Sequence, residues 1–171
     1  MNFESVSDED GKDLVKMARS VVSAHIINNN KVSDQTFKEK FSFKAGVFVT
    51  INDKSGLRGC IGFPLAAKKL SDALTDAAIS ASTDDPRFPS ITKNELNDLV
   101  FEVTVLSDTE EITTSSPDEI INEIKIGRDG LIIEKDFQSG LLLPQVPVEY
   151  NWNVKDFLNH TCHKAGLPND S

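Results

Sequence analysis

A chain of 171 residues, 39% apolar and 26% charged, is long enough to bury a real core and has the composition of an ordinary globular protein. Its formal net charge of −9 argues against the basic surface on which non-specific binding to nucleic acid or to an anionic membrane depends. No apolar run reaches the length of a membrane span, and two cysteines behind an amino terminus without leader character (Met1-Asn2-Phe3-Glu4-Ser5) predict a reduced, cytoplasmic protein rather than a disulfide framework.

Ser7 followed by Asp8, Glu9 and Asp10 predicts a helix start, with acidic residues at the positive end of the dipole. Leu14, Val15, Ala18, Val21, Val22, His25 and Ile26 then form an apolar stripe at helical spacing, which places His25 in the core. Asn28-Asn29-Asn30 ends that helix, and a short one carrying Phe37 and Phe41 on one side is expected over 33–43.

Gly46 to Phe63 reads as a β-hairpin. Val47, Val49 and Ile51 alternate with Phe48, Thr50 and Asn52, and Asp53-Lys54-Ser55-Gly56 supplies the turn. Alternation in the second strand puts Arg58, Cys60 and Gly62 on one face. A fixed cation beside a thiol favours the thiolate, the nucleophilic and metal-binding form, so Cys60 assisted by Arg58 is the leading candidate for chemistry. Against it stands the commonest role of a free cysteine, a small buried apolar residue. Gly59 and Gly62 weaken the strand unless something approaches its backbone, which makes both candidate substrate contacts.

A second helix is predicted with Leu70, Ala73, Leu74, Ala77, Ala78 and Ala81 inward, stopping before Asp84-Asp85-Pro86-Arg87-Phe88-Pro89. Arg87 is a candidate anion ligand or, more simply, a brace pairing with Asp84 or Asp85. Thr92 and Glu95 form a capping box for a short helical turn, and Val100 to Leu106 alternates as a strand. If that strand neighbours the Cys60 strand, Glu102 meets Arg58. Ser116-Pro117-Asp118-Glu119 opens a further helix. A second hairpin over Lys125 to Lys135 is expected to turn at Asp129-Gly130, and Gly140 to Leu143 reads as a short buried strand closed by Pro144. Gln145 beyond it is a candidate polar contact. Asn153 and Asp156 cap a last helix that holds Cys162 inward and ends at Gly166. His160 and His163 are spaced like a helical metal pair, but no further ligand set accompanies them, so neither a metal nor another cofactor is expected.

Leu57-Arg58-Gly59-Cys60-Ile61-Gly62, the Asp85-Pro86-Arg87-Phe88-Pro89 loop and Leu142-Leu143-Pro144-Gln145 resemble the AMMECR domain family, and the likeness runs from the first helix to Ala165-Gly166-Leu167. It departs at Ser90, where many members carry proline, and this predicts a slightly looser loop. The resemblance implies a single domain over 1–171 of α+β class. It also implies two sub-lobes of antiparallel or mixed sheet packed with helices, and a cleft beside the hexapeptide strand. Hairpins and helices without a βαβ rhythm point to the same class. A Memo-type protein and a radical-SAM enzyme are the partners that the resemblance implies; it brings no known reaction with it.

Two functions follow, and enzyme status stays open between them. In one, Cys60 is a nucleophile or group-carrying thiol assisted by Arg58, with Gly59, Gly62, Arg87, Glu102 and Gln145 contacting the substrate. In the other, the protein is a non-catalytic module in which Arg58 grips a carboxylate of a protein or peptide.

Overall fold

Ser7 and Asp10 start the first helix by exchanging hydrogen bonds. The Ser7 hydroxyl accepts from the Asp10 amide at 3.3 Å, and the Asp10 carboxylate accepts from the Ser7 amide at 2.8 Å. The computed structural model describes residues 6–30, 32–114 and 116–168, so the amino-terminal stretch Met1–Ser5 lies outside them. The chain divides into two compact units, Met1–Glu110 and Glu111–Ser171.

The first unit contains α1 (Asp8–Asn28), α2 (Gln35–Lys40), β1 (Gly46–Asp53), β2 (Gly56–Phe63), α3 (Leu70–Thr83) and β3 (Val100–Leu106). Asn29 closes α1 in the left-handed region at φ 54°, and Lys40 at the end of α2 pairs with Asp10 at 2.7 Å and Asp13 at 2.8 Å. The three strands form an antiparallel sheet in the order β2-β1-β3. Val47, Val49 and Ile51 of β1 are fully buried under α1 and α3, whose Leu14, Val22, Leu74 and Ala78 belong to the same core. By alternation Phe48, Thr50 and Asn52 lie on the opposite face. Thus β3 neighbours β1 rather than the Cys60 strand, and the expected meeting of Glu102 with Arg58 does not occur through strand pairing.

The second unit contains α4 (Pro117–Glu123), β4 (Leu131–Lys135), β5 (Gln138–Leu142), α5 (Gln145–Glu149) and α6 (Val154–Ala165). Its hairpin is β4-β5, which turns at Asp136-Phe137 with Asp136 at φ 56°. The turn falls at 126–128, with Gly127 at φ 81°, instead of at Asp129-Gly130, and it leads into β4 rather than closing a hairpin. The Asp129 carboxylate folds back to accept the Lys125 amide at 2.9 Å, holding 125–129 as a local turn. The short helix α5 stands where the sequence pattern predicts only a loop around Gln145. Ile124, Leu131, Leu142 and Phe157 form this unit's core, while Cys162, 4% exposed, packs with Ala165, Leu167 and Ile133. Gly140 allows β5 to approach α6, since a Cβ there would lie 2.8 Å from the Thr161 carbonyl oxygen. Among the described residues the strand pairs of both units are antiparallel, and the class is α+β.

Candidate functional site around Cys60

Cys60 sits in β2 opposite Thr50 of β1, and Thr50 in turn sits opposite Glu102 of β3. The three side chains therefore form a row across the sheet, on the face away from α1 and α3. Cys60 Sγ and Thr50 Oγ1 lie 3.3 Å apart, and either can donate. Cys60 is half-buried and Glu102 exposed. At about 4.8 Å per strand, Glu102 stands roughly 10 Å from the cysteine strand and does not touch it.

Because β2 is an edge strand, one side of its backbone is left without a strand partner. At Cys60 that side is filled by the loop after α3. The buried Asp85 carboxylate accepts the Cys60 amide at 2.9 Å, and Arg87 Nη2 donates to the Cys60 carbonyl at 3.3 Å. The two clamp residues also hold each other: Arg87 Nε and Nη2 reach Asp85 at 2.9 and 2.7 Å, and the Arg87 amide adds a bond of 3.1 Å. The Arg87 guanidinium, helped by the Cys60 and Arg87 amides, holds the Asp85 carboxyl well below the usual carboxylate range against the effect of burial. Arg87 is pushed up in turn, chiefly by Asp85 and to a lesser degree by Cys60.

Arg87, not Arg58, is thus the guanidinium that reaches Cys60. Strict alternation predicts Arg58 on the Cys60 face, but the register slips between Ile51, opposite Gly59, and Asn52, opposite Leu57. Arg58 is the extra residue of a β-bulge, and a bulge re-aims its side chain. Its Nε donates to Glu95 at 2.7 Å, Nη1 to the Pro89 carbonyl at 2.6 Å and Nη2 to the Ser90 carbonyl at 3.3 Å. Only 11% of the side chain is exposed. Glu95 also accepts the Thr92 amide and hydroxyl, both at 2.7 Å, so the predicted box exists, although it closes a turn rather than a helix. Arg58 first, then Thr92, lowers the Glu95 carboxyl.

The two glycines serve packing. Gly59 is buried, and a Cβ there would run into the Ala81 carbonyl of α3, so its absence lets the helix lie close on the sheet. Gly62 lies beneath the Phe48 ring, with the Val47 carbonyl also against the position of a Cβ. Gln145 opens α5 in the second unit. The Ser90 hydroxyl donates to the Thr83 carbonyl at 3.2 Å.

The histidines are placed elsewhere. His25 is half-buried and lines a cavity instead of sitting in the core. The His160 ring stacks on Trp152, with centroids 3.8 Å apart and planes 7° from parallel. Among the described residues no group of three His, Cys, Asp or Glu side chains could hold a metal ion, and no helix is long and apolar enough to cross a membrane.

Sequence reasoning missed Asp85 and Thr50 as parts of the Cys60 environment. Asp85 had a signal, an acid beside Pro86 and two residues from Arg87, but it was assigned only to the arginine. Thr50 becomes visible once the strand register is known.

A family model for AMMECR1 matches residues 15–171. A protein of Methanothermobacter thermautotrophicus is 45% identical over 99% of this chain and 89% of its own length. Protein MJ0810 of Methanocaldococcus jannaschii is 48% identical over 95% of this chain and 81% of its own length. In three dimensions the chain is similar to the crystal structure of the uncharacterized protein PH0010 from Pyrococcus horikoshii, with a TM-score of 0.89, 44% identity, and coverage of 96% of this chain and 84% of that one. The chain belongs to the AMMECR1 family.

Proposed function

We propose that the sheet face around Cys60 is the working site and that the Cys60 thiol is its reactive group, a nucleophile or a carrier of a transferred group. The observation that carries this reading is the clamp. Asp85 and Arg87 hold the N–H and the carbonyl of Cys60 from the open edge of β2, while the half-buried cysteine keeps its sulfur beside the Thr50 hydroxyl. Holding a reactive atom in place from its own backbone is what a preorganised site requires, and a merely packed cysteine has no such need. Arg87 reaches the Cys60 carbonyl, and the Thr50 hydroxyl can donate a hydrogen bond to the sulfur. A Memo-type protein and a radical-SAM enzyme are the partners this reading assigns to the protein, on the strength of the family resemblance.

The competing reading, a docking module in which Arg58 grips a partner's carboxylate, requires Arg58 to give up Glu95 and two loop carbonyls. The engaged guanidinium favours the cysteine reading over it. Alkylation of the native protein at neutral pH, followed residue by residue by mass spectrometry, separates a reactive Cys60 from a packed one. Rapid modification of Cys60 with Cys162 protected is the expected result. Protection of both until urea unfolds the chain would end the proposal.

A further inference from the structure

The open edge of β2 is closed at Cys60 but not at the next residue that faces the same way. The Cys60 amide and carbonyl meet Asp85 and Arg87 rather than β1, so Cys60 and Thr50 face each other without exchanging ladder bonds. Gly62 and Phe48, two positions along, repeat that geometry and turn the Gly62 amide and carbonyl to the open edge as well. Neither group meets a hydrogen-bond partner there among the described residues, and Gly62 is half-buried. The next outward position is Pro64, which has no N–H to offer. One residue's worth of the edge is therefore available to a partner strand.

The clamp determines what kind of strand fits. Along an extended residue the carbonyl follows the amide, so Arg87, on the Cys60 carbonyl, stands toward Gly62, and Asp85 stands away from it. Asp85 and Cys60 occupy Nε and Nη2 of Arg87, whereas Nη1 donates to no oxygen among the described residues and 53% of the side chain is exposed. An incoming strand cannot run on past the loop, so its end comes to rest against a guanidinium whose orientation Asp85 fixes. A chain antiparallel to β2 whose penultimate residue pairs with Gly62 brings its terminal carboxylate, one residue on, to Arg87. We propose that this edge binds the carboxyl terminus of an extended polypeptide. Gly62 exchanges two backbone hydrogen bonds with the penultimate residue, and Arg87 Nη1 donates to the terminal carboxylate. Phe48, whose ring lies over Gly62, gives the penultimate side chain an apolar neighbour. The terminal residue comes to lie beside Cys60. That it is the substrate of the thiol rests on the cysteine reading above; the binding does not.

N-acetyl-valyl-leucyl-valine, as the free acid and as its carboxyl-terminal amide, is titrated into the full chain and followed by amide chemical shifts. The acid should give saturable shifts centred on Gly62, whose amide moves downfield as it gains an acceptor. It should bind about tenfold more tightly than the amide, the worth of one hydrogen bond to a charged group, since Asp85 already offsets part of the Arg87 charge. In Arg87→Gln that preference should vanish. Comparing two ligands on the native protein keeps the test decisive even where the variant fails to fold. Equal affinities of acid and amide for the native protein would overturn the proposal. So would saturation without a shift at Gly62, no saturable shift with the acid, or a preference that survives in Arg87→Gln. Alkylation of Cys60 reads the thiol alone, so either reading can fail without the other.

Discussion

The segment between α3 and β3 is fastened to β2 at two places, and the fastenings differ in kind. At the bulge, Arg58 reaches out of the strand and spends all three guanidinium nitrogens on Glu95, Pro89 and Ser90. Two residues on, the direction reverses, and Asp85 and Arg87 reach out of the loop to hold the backbone of Cys60. The first fastening hides its cation, while the second leaves 53% of the Arg87 side chain exposed beside a half-buried thiol. One attaches the loop to the strand; the other fixes the backbone of Cys60. The arginine adjacent to a cysteine in sequence need not be the arginine that serves it in space.

The comparison predicts that removing each arginine has a different consequence. Arg58→Ala leaves Glu95 and two loop carbonyls without their donor, and should cost about 3 kcal/mol of stability in urea unfolding. In the protein that remains folded, alkylation of Cys60 should change little. Arg87→Gln leaves the buried Asp85 carboxylate without its cation and frees the Cys60 carbonyl, so it should cost about 2 kcal/mol and also slow Cys60 alkylation at neutral pH several-fold. If the two substitutions exchanged these effects, the division between attachment and site would fail.

Gly59→Ala tests whether the bulged strand depends on close approach by α3. A methyl group there meets the Ala81 carbonyl, part of a helix backbone that cannot rotate away as a side chain could. Overpacking of this kind should cost about 2 kcal/mol. Cys60, on the opposite face, should keep its alkylation rate if the loss is one of packing alone.

The regular parts of the fold were legible in the sequence because each rests on local periodicity. The stripe from Leu14 to Val22, the small-residue face of α3 and the strands β1 and β3 appear where they were expected. What escaped depends on contacts between distant residues or on a single inserted position. Nothing local announces that Arg58 is the residue out of register, and with that slip the predicted partnership of Arg58 and Cys60 is lost. Strand order is likewise non-local, so Glu102 was placed one strand too close. In the second unit the Asp129-Gly130 pair was read as the hairpin turn. Asp129 is held locally by Lys125, however, and Asp136 takes the left-handed conformation that closes the hairpin. At the candidate site, Arg87 was read as an anion ligand or as a brace on Asp84 or Asp85, and the structure places it on both Asp85 and the Cys60 carbonyl. The hold of the Asp85 carboxylate on Cys60 was not foreseen, because an aspartate before proline reads first as turn chemistry.

Asp85→Asn sharpens the comparison through pH. The Asp85 carboxyl lies below its ordinary value in the folded chain, chiefly through Arg87. A depressed carboxyl contributes stability that is fully present above the unfolded aspartate value of about 3.9 and is withdrawn as pH falls below it toward the folded value. The native protein should therefore lose stability from about pH 4 downward, and Asp85→Asn should flatten that acid limb. At pH 7 the substitution should cost about 1–2 kcal/mol, since asparagine can still accept the Cys60 amide but no longer pairs with Arg87 as an ion. Glu95, lowered by Arg58, also titrates in this window, so some slope should survive. An unchanged acid limb in urea midpoints taken from pH 7 to pH 3 would show that the clamp carries no charge-dependent stability.

Thr50→Val should have the smallest effect and bears most directly on the chemistry. Valine keeps the β-branched shape that suits the middle strand and removes only the hydroxyl facing Cys60 Sγ at 3.3 Å. Thr50 is half-buried on the face away from the helices, so the stability change should stay within about 0.5 kcal/mol. If the hydroxyl donates to a thiolate, its loss should slow Cys60 alkylation at neutral pH by about twofold to fivefold, the worth of one modest hydrogen bond. The clamp is untouched by this change, so a slower reaction must come from the thiol's own surroundings. A faster reaction would mean that Thr50 shields the sulfur instead of assisting it.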